Sequence, residues 1–283
     1  MGRAEERSDS PGSLSVRGAP GDYRKVARTL VKDGFAVLVD RELALQGDRV
    51  FAASHDFFER EHDAKLVHST PARLEGYRPM GSEFSQSEDV PDLCEFFSVW
   101  HRNEADGQVG EWAADSALRS VAVSSLAGYA AAANGVLDAL RRHLAPGGEA
   151  IDASRSSYVQ VNHYRPHMFE REFLQEEHED GHLLTFHRAT RRGLEIRVGD
   201  RFVEPHVAAG DLLVLPGSLL TLVTGGLIAP LYHRVRNHFD ATRQSLLYFV
   251  NPDVSVETAP WISNESNRGA DIRAVALSCL GAR

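Results

Sequence analysis

Tyr158-Val-Gln-Val-Asn-His-Tyr164 alternates residue by residue. In an extended chain successive side chains point to opposite faces, so Tyr158, Gln160, Asn162 and Tyr164 share one face. The sequence that follows keeps this texture. Strand-like segments recur at 182–186, 193–198, 201–204, 211–216, 218–224, 232–238 and 244–250, with turn residues between them. About eight short strands punctuated in this way indicate a barrel or a sandwich.

Upstream the pattern is helical. Val26, Leu30 and Val31 have helical spacing, and Gly34 ends that helix. Phe35-Ala-Val-Leu-Val39 is a short strand-type run, and a helical stripe resumes from Phe51 to Phe58. Gly, Pro and Ser between Gly76 and Ser87 predict a loop. Residues 114–144 read as a long alanine-rich helix, stopped by Pro146-Gly-Gly148, and residues 271–280 read as helix again. The expected layout is a disordered tail over 1–20, a helical N-terminal region over 21–150, a β core over 151–255, and a C-terminal helix over 256–283 packed on that core.

Composition narrows the function. A chain of 283 residues can bury one sizeable core, and 42% hydrophobic with 25% charged residues is ordinary for a soluble globular protein. A net charge of -9 argues against a nucleic-acid partner, which needs a basic patch. A single buried arginine can still hold a small anion. The tail lacks the apolar segment of a signal peptide, and no later run approaches the roughly 18 apolar residues of a span, so no membrane is expected. Cys94 and Cys279, without CxxC spacing, argue against a disulfide scaffold or thiolate metal site and fit a reducing cytoplasm. Cys94 is expected to be a small buried apolar residue.

His178-Glu-Asp180 sets an imidazole and a carboxylate two residues apart at a strand end, where both can turn toward one point. One distant histidine completes a set of two histidines and one carboxylate that leaves cis positions open on a metal, the arrangement of non-haem iron(II) oxygenases. H-x-D alone also fits a surface or hydrogen-bonded histidine. The downstream pattern strengthens the metal reading: His233 lies in Leu231-Tyr-His-Arg-Val-Arg236, after the turn Thr224-Gly-Gly226. Further on, Arg243-Gln-Ser245 leads the apolar strand Leu246-Leu-Tyr-Phe-Val250, closed by Asn251-Pro252. An arginine there is costly to bury unless it meets an anion, and its fork beside a hydroxyl suits a carboxylate. An edge-strand arginine facing solvent is the plainer alternative.

Taken in order, Asn162-His-Tyr164, His178-Glu-Asp180 with Leu183-Leu-Thr185, Gly193-Leu-Glu-Ile196, Gly210-Asp-Leu-Leu-Val214, His233-Arg-Val235 and Arg243-Gln-Ser245 resemble the isopenicillin N synthase-like family of iron(II)/2-oxoglutarate-dependent oxygenases. Gly34-Phe35, Phe57-Phe58, Lys65 and Gly76-Tyr77 also occur where that family has similar residues, so the resemblance spans nearly the whole chain after residue 20. It implies a mainly β fold with flanking helices: a double-stranded β-helix (jelly-roll) core behind a helical N-terminal region. It further implies that His178, Asp180 and His233 bind Fe(II). Arg243 and Ser245 would hold the distal carboxylate of 2-oxoglutarate, and Asn162 and Tyr164 would touch the same co-substrate. The implied activity is a dioxygenase that consumes O2, with ascorbate as reductant in vitro. It would oxidise, foremost hydroxylate, an unactivated C–H bond of a small amino-acid-derived or specialised metabolite. Asp180 disfavours halogenation, since related halogenases carry a small residue there. His163 and Gly225 depart from the common pattern, where tyrosine and asparagine are frequent. Both leave the metal site intact and weaken any inference about substrate.

Two other readings stay open: a 2-oxoglutarate-independent iron(II) oxidase or cyclase of the same fold, and a non-catalytic metal-binding jelly roll. The Asn162/Tyr164 pair favours 2-oxoglutarate over the former. His182 continues the alternation from His178 but reads as a hydrogen-bonded structural histidine, because the metal must keep open positions. Thr185 and His187 share a strand face and are candidate pocket residues. So are Arg78 and Phe84, with Glu83, in the loop that covers the pocket in relatives. Core packing or a solvated loop is the plainer reading of each. The pairs His163/His167 and His206/His238 lack companion ligands and carry no assigned role.

Overall fold

The structure, a computed structural model, describes residues 21–70, 75–102, 116–165, 171–238, 241–265 and 267–281. The tail expected over 1–20, and His167, lie outside them. Asp22 opens α1 (Tyr23–Asp33) by accepting from Lys25 N, and Gly34 ends it at φ 79°, a left-handed turn that a side chain would strain. Asp40 lies between β1 (Ala36–Leu38) and α2 (Arg41–Phe58) and caps the latter through Glu42 N and Leu43 N. Then come α3 (His62–Leu66), β2 (Gly76–Arg78), β3 (Glu95–Trp100) and the 28-residue α4 (Ala117–Leu144). The C-terminal half carries β4 (Tyr158–Tyr164), β5 (Phe173–His178), β6 (Leu184–Ala189), β7 (Leu194–Val198), β8 (Arg201–Val203) and β9 (Leu212–Pro216). A short helix α5 (Ser218–Val223) precedes β10 (His233–Arg236) and β11 (Arg243–Val250), and α6 (Ile272–Gly281) ends the described chain.

Two antiparallel sheets result, one of seven strands in the order β1-β9-β6-β11-β4-β3-β2 and one of four in the order β5-β10-β7-β8. One apolar cluster fills the space between them: Phe35, Val37 and Leu213 from the large sheet meet Leu174, Leu194, Ile196 and Val235 from the small one. A larger cluster joins the outer face of the large sheet, through Val159, Val161, Phe186 and Leu246, to α1, α2 and α4. This is the expected jelly-roll core with flanking helices. Alternation along β4 and β11 sends Val159, Val161, Leu246 and Tyr248 to the outer cluster, while Tyr158, Gln160, Asn162 and Tyr164 face the barrel interior, as the sequence pattern required.

Four expectations about the elements need correction. Residues 218–224 form helix, not strand. Short apolar runs do not distinguish the two by periodicity, and here Leu219, Leu220 and Val223 bury one helical face. Gly76–Arg78 is strand rather than loop, paired with Ser98, Phe97 and Phe96. The N-terminal region is also not simply helical, since β1, β2 and β3 belong to the large sheet. By length and composition α4 could cross a membrane, contrary to expectation. Its apolar residues Leu126, Tyr129, Ala133, Val136 and Leu140 are core, which accounts for its hydropathy.

One buried ionic cluster ties α3, β2, β3 and the end of β4 together. Lys65 Nζ donates to Glu95 Oε2 at 2.5 Å, Tyr77 Oη donates to the same oxygen at 2.7 Å, and Arg165 takes Oε1 from Nε and Nη2. Burial pushes the Glu95 carboxyl up, but the hydrogen bonds from Lys65 and Tyr77 and the Lys65 charge overcome this and hold it below the usual range. Removing one partner strands the other charge in the interior, so Glu95→Ala should lose about 3–5 kcal/mol in denaturant unfolding. Lys65→Met with Glu95→Leu should recover at least half of that. A carboxyl with a lowered folded pKa stabilises above its unfolded value of about 4.3 and loses the contribution below it, so wild type should lose more stability than Glu95→Gln as pH falls past that point.

Candidate metal centre and co-substrate pocket

His178 is the last residue of β5 and His233 the first of β10, and the antiparallel pairing sets them directly opposite each other. Each Nδ1 donates to a backbone carbonyl two residues back, Glu176 O at 2.8 Å and Leu231 O at 3.0 Å. That fixes both tautomers and leaves each Nε2 as a lone-pair donor facing inward. Each Nε2 lies 3.9 Å from Asp180 Oδ1, and the ring centroids are 4.3 Å apart. One donor atom from each of the three residues falls within 4.8 Å of the others, the only such group among the described residues.

Asp180 is held from two sides. Thr185 Oγ1 donates to its Oδ2 at 2.5 Å, leaving Oδ1 toward the histidines. Its carbonyl accepts from Ser218 N at 2.9 Å, where the loop crosses the start of α5. Gly217 makes that crossing possible: a Cβ there would sit 2.2 Å from His182 O and 2.5 Å from Asp180 O, and neither backbone atom can yield. Burial raises the Asp180 carboxyl, yet the facing charges of His233, His178 and His182 and the Thr185 hydroxyl outweigh it and keep the acid well below its ordinary range. Two imidazole nitrogens and one carboxylate, oriented before binding, fit a divalent iron with open positions. His182 is no ligand, for Nδ1 contacts Asn251 Oδ1 at 2.8 Å and Nε2 lies 3.4 Å from Tyr158 Oη.

Inside the barrel, β11 pairs with β4 so that Ser245 faces Asn162 and Arg243 faces Tyr164. Alternation puts Phe249, Leu247, Ser245 and Arg243 in one row leading away from the metal end. Arg243 is only 4% exposed. Its Nη2 lies 3.4 Å from His187 Nε2 and its guanidinium lies over the Tyr164 ring, while Nε and Nη1 have no partner among the described residues. Two unsatisfied donors on a buried cation are costly, and a carboxylate is the group that fits them. Burial, reinforced by the Arg243 charge, keeps His187 neutral.

Of the expected pocket residues, Phe84 and His187 line the cavity at the metal, with Asn162, Tyr164 and Ser245. Thr185 acts on Asp180 instead. Arg78 does not reach the cavity: Nη1 donates to Tyr77 O and Nη2 to Thr70 Oγ1 beneath the sheet edge. A polar chain not read from the sequence runs along the wall. Gln160 donates to Asn162, Asn162 to Tyr164, and Tyr164 to Gln175 Oε1; Gln175 and Ser85 donate to Asp92. Gln160 was visible on the alternating face of β4, whereas Asp92 and Gln175 carry no local signal. His163 and His206 lie outside the centre, His163 stacked on Phe58 with burial pushing it down to about 4.

Residues 21–117 match a family model described as the N-terminal region of the non-haem dioxygenase in morphine synthesis. No curated protein matches the chain in sequence. Many solved structures share its fold. A full-length Neurospora crassa protein, solved with alpha-KG and 5-formyluracil, superposes with a TM-score of 0.72 at 20% identity, over 92% of this chain and 90% of that one. A Caulobacter crescentus protein described as of the 2OG-Fe(II) oxygenase family gives 0.74 at 20% identity, over 92% and 94%. A rice dioxygenase for auxin oxidation gives 0.67 at 19%, over 88% and 86%. The chain therefore shares the fold of these oxygenases, the fold that its motifs from Asn162 to Ser245 implied.

Ligand and support residues should separate in an equilibrium titration with Mn(II). His178→Ala, Asp180→Ala and His233→Ala should show the largest losses. Thr185→Val, which frees Asp180 to rotate, should lose about 10- to 100-fold, and His182→Ala should keep its metal. Gly217→Ala should lower both the melting temperature and the metal affinity, because the carbonyls it meets carry the Asp180 loop.

Proposed function

We propose that the chain is an iron(II)- and 2-oxoglutarate-dependent dioxygenase that hydroxylates an unactivated C–H bond of a small specialised metabolite. One observation carries this reading: convergent His178, Asp180 and His233 donors and a buried, half-satisfied Arg243 occupy one barrel interior, joined by a row of polar side chains. Iron(II) and 2-oxoglutarate, when bound, supply the activation of O2. The protein's part is placement. His178 and His233 present fixed lone pairs, and Thr185 aims Asp180. Arg243 and Ser245 take the distal carboxylate, and Asn162 and Tyr164 give its chain a polar wall. Leu194, Val235, Leu247 and Phe249 keep water from the remaining side, while Phe84, with Glu83, closes the mouth.

Similar folds bind small molecules: the Neurospora crassa protein was solved with thymine or 5-formyluracil, and JOX2 with 2OG, Fe and JA. The proposal carries a cytoplasmic setting, since iron(II) and the two free thiols Cys94 and Cys279 need a reducing medium.

A turnover screen that follows succinate release and O2 uptake against a metabolite panel should show dependence on both iron(II) and 2-oxoglutarate. Arg243→Leu should cost about 2–4 kcal/mol of co-substrate binding, a rise in KM for 2-oxoglutarate of roughly 30- to 1000-fold. Iron binding should survive, and Arg243→Lys should rescue only in part, lacking the planar fork. Oxygen uptake with substrate and ascorbate but without 2-oxoglutarate would overturn the co-substrate assignment.

A further inference from the structure

The barrel end remote from the metal carries a feature that the proposed function leaves without a role beyond Arg243 itself. A cavity of about 300 Å³ opens there, lined by Arg165, Arg191, Arg192, Arg236, His238 and Arg243. Among the described residues, no aspartate or glutamate lines it, in a chain of net charge -9. Carboxylates outside the lining pair with three of these arginines: Glu95 with Arg165 at 2.9 Å, Glu204 with Arg192 at 3.0 Å, and Glu195 and Glu172 with Arg236 at 2.6 and 2.7 Å. Arg243 forms the floor, more than nine-tenths buried, with Nε and Nη1 unpartnered among the described residues. Gly193 keeps the floor close to the surface. A Cβ there would meet Arg236 O at 2.9 Å, and it would lie 3.8 Å from Arg243 Nε.

This cavity adjoins the metal pocket. Tyr164 lines both, and Arg243 reaches His187, which lines the metal pocket. The two ends differ in charge. The metal side is lined by Glu83, Asp92 and Asp180 and has no lysine or arginine among the described lining residues. A dianion approaching from that side meets the carboxylates of Glu83 and Asp92, with Asp180 offset by the ion it would hold. One approaching from the far side meets five guanidinium groups, of which Arg191 and Arg243 have no carboxylate partner among the described residues. We infer that the arginine-lined cavity is a vestibule for small polyanions, through which 2-oxoglutarate reaches Arg243 from the barrel end opposite the metal. The delivery claim rests on the co-substrate reading above; the anion affinity of the cavity does not.

The test uses the Mn(II)-loaded full chain and two probes, 2-oxoglutarate and inorganic pyrophosphate. Arg191 and Arg192 are exposed rim residues, so Arg191→Glu with Arg192→Glu should fold normally, and Arg191→Lys with Arg192→Lys serves as the charge-conserving control. Stopped-flow association of 2-oxoglutarate should be about tenfold slower in the charge-reversed variant at low salt. The difference should vanish near about 0.5 M salt, and dissociation should change by less than about twofold. The lysine control should keep the wild-type rate. Pyrophosphate should bind wild type, slow 2-oxoglutarate association, and bind the reversed variant at least about tenfold more weakly. Equal association rates in wild type and reversed variant would overturn the vestibule. Pyrophosphate binding that depends on the arginines but leaves association untouched would make the cavity a separate anion site and overturn delivery. If wild type bound pyrophosphate but not 2-oxoglutarate, the co-substrate reading would fail and delivery with it, while the anion site would stand.

Discussion

The antiparallel register of β10 against β5, with His233 opposite His178, is the constraint on which the centre depends. Side chains alternate between faces, so a slip of one residue would turn Arg234 inward and carry the histidine out of the barrel. The outer face resists that slip. Arg234 lies over the rings of Phe173 and Phe202 and donates to Glu195 at 2.7 Å, and Arg236 lies over Phe173 and shares Glu195. Cation–π contacts of this kind contribute about 0.5–1 kcal/mol each at exposed sites. Charged and aromatic residues on the solvent side thus hold two imidazoles in place on the inner side.

Given that register, the remainder follows from two alternating strands of the large sheet. β4 supplies Gln160, Asn162 and Tyr164, and β11 supplies Phe249, Leu247, Ser245 and Arg243, all to the interior. The interior becomes a polarised channel, with a carboxylate and two imidazoles at one end and a guanidinium at the other. Apolar residues of both sheets seal it between. A ligand with a metal-chelating head and a carboxylate tail matches that polarity along its length, which is why the two half-sites are more informative together than either alone.

Most of this was legible because the chemistry is written at strand positions of period two. Tyr158 to Tyr164 could be assigned a face from the sequence, and His178, Asp180, His233 and Arg243 stand in motifs whose order is specific. The missing parts have physical causes. β5 reads Phe-Leu-Gln-Glu-Glu-His, rich in residues that strands disfavour, and is a strand because β10 pairs with it. Residues 218–223 are apolar in a way that suits strand or helix, and what favours helix, the buried face of Leu219, Leu220 and Val223 and the carbonyls of Asp180 and Gly217 at its start, exists only in the folded chain. Gly217 has no signature beyond being glycine, since its role lies in the backbone of Asp180 and His182, far from it in sequence. Asp92 and Gln175 meet only across the folded barrel, and Arg78 was placed near the pocket by its neighbours in sequence rather than by its own contacts.

The central claim, that one ligand bridges the metal triad and Arg243, is tested most directly by an anaerobic titration of the Fe(II)-loaded chain with 2-oxoglutarate, followed by visible absorption. Chelation of iron by the keto acid should produce a new band that saturates at one equivalent. The band should be absent in His233→Ala, and in Arg243→Leu it should reach the same amplitude only at far higher concentration. A band that saturated at the same concentration with and without Arg243, or no band in wild type, would contradict the account.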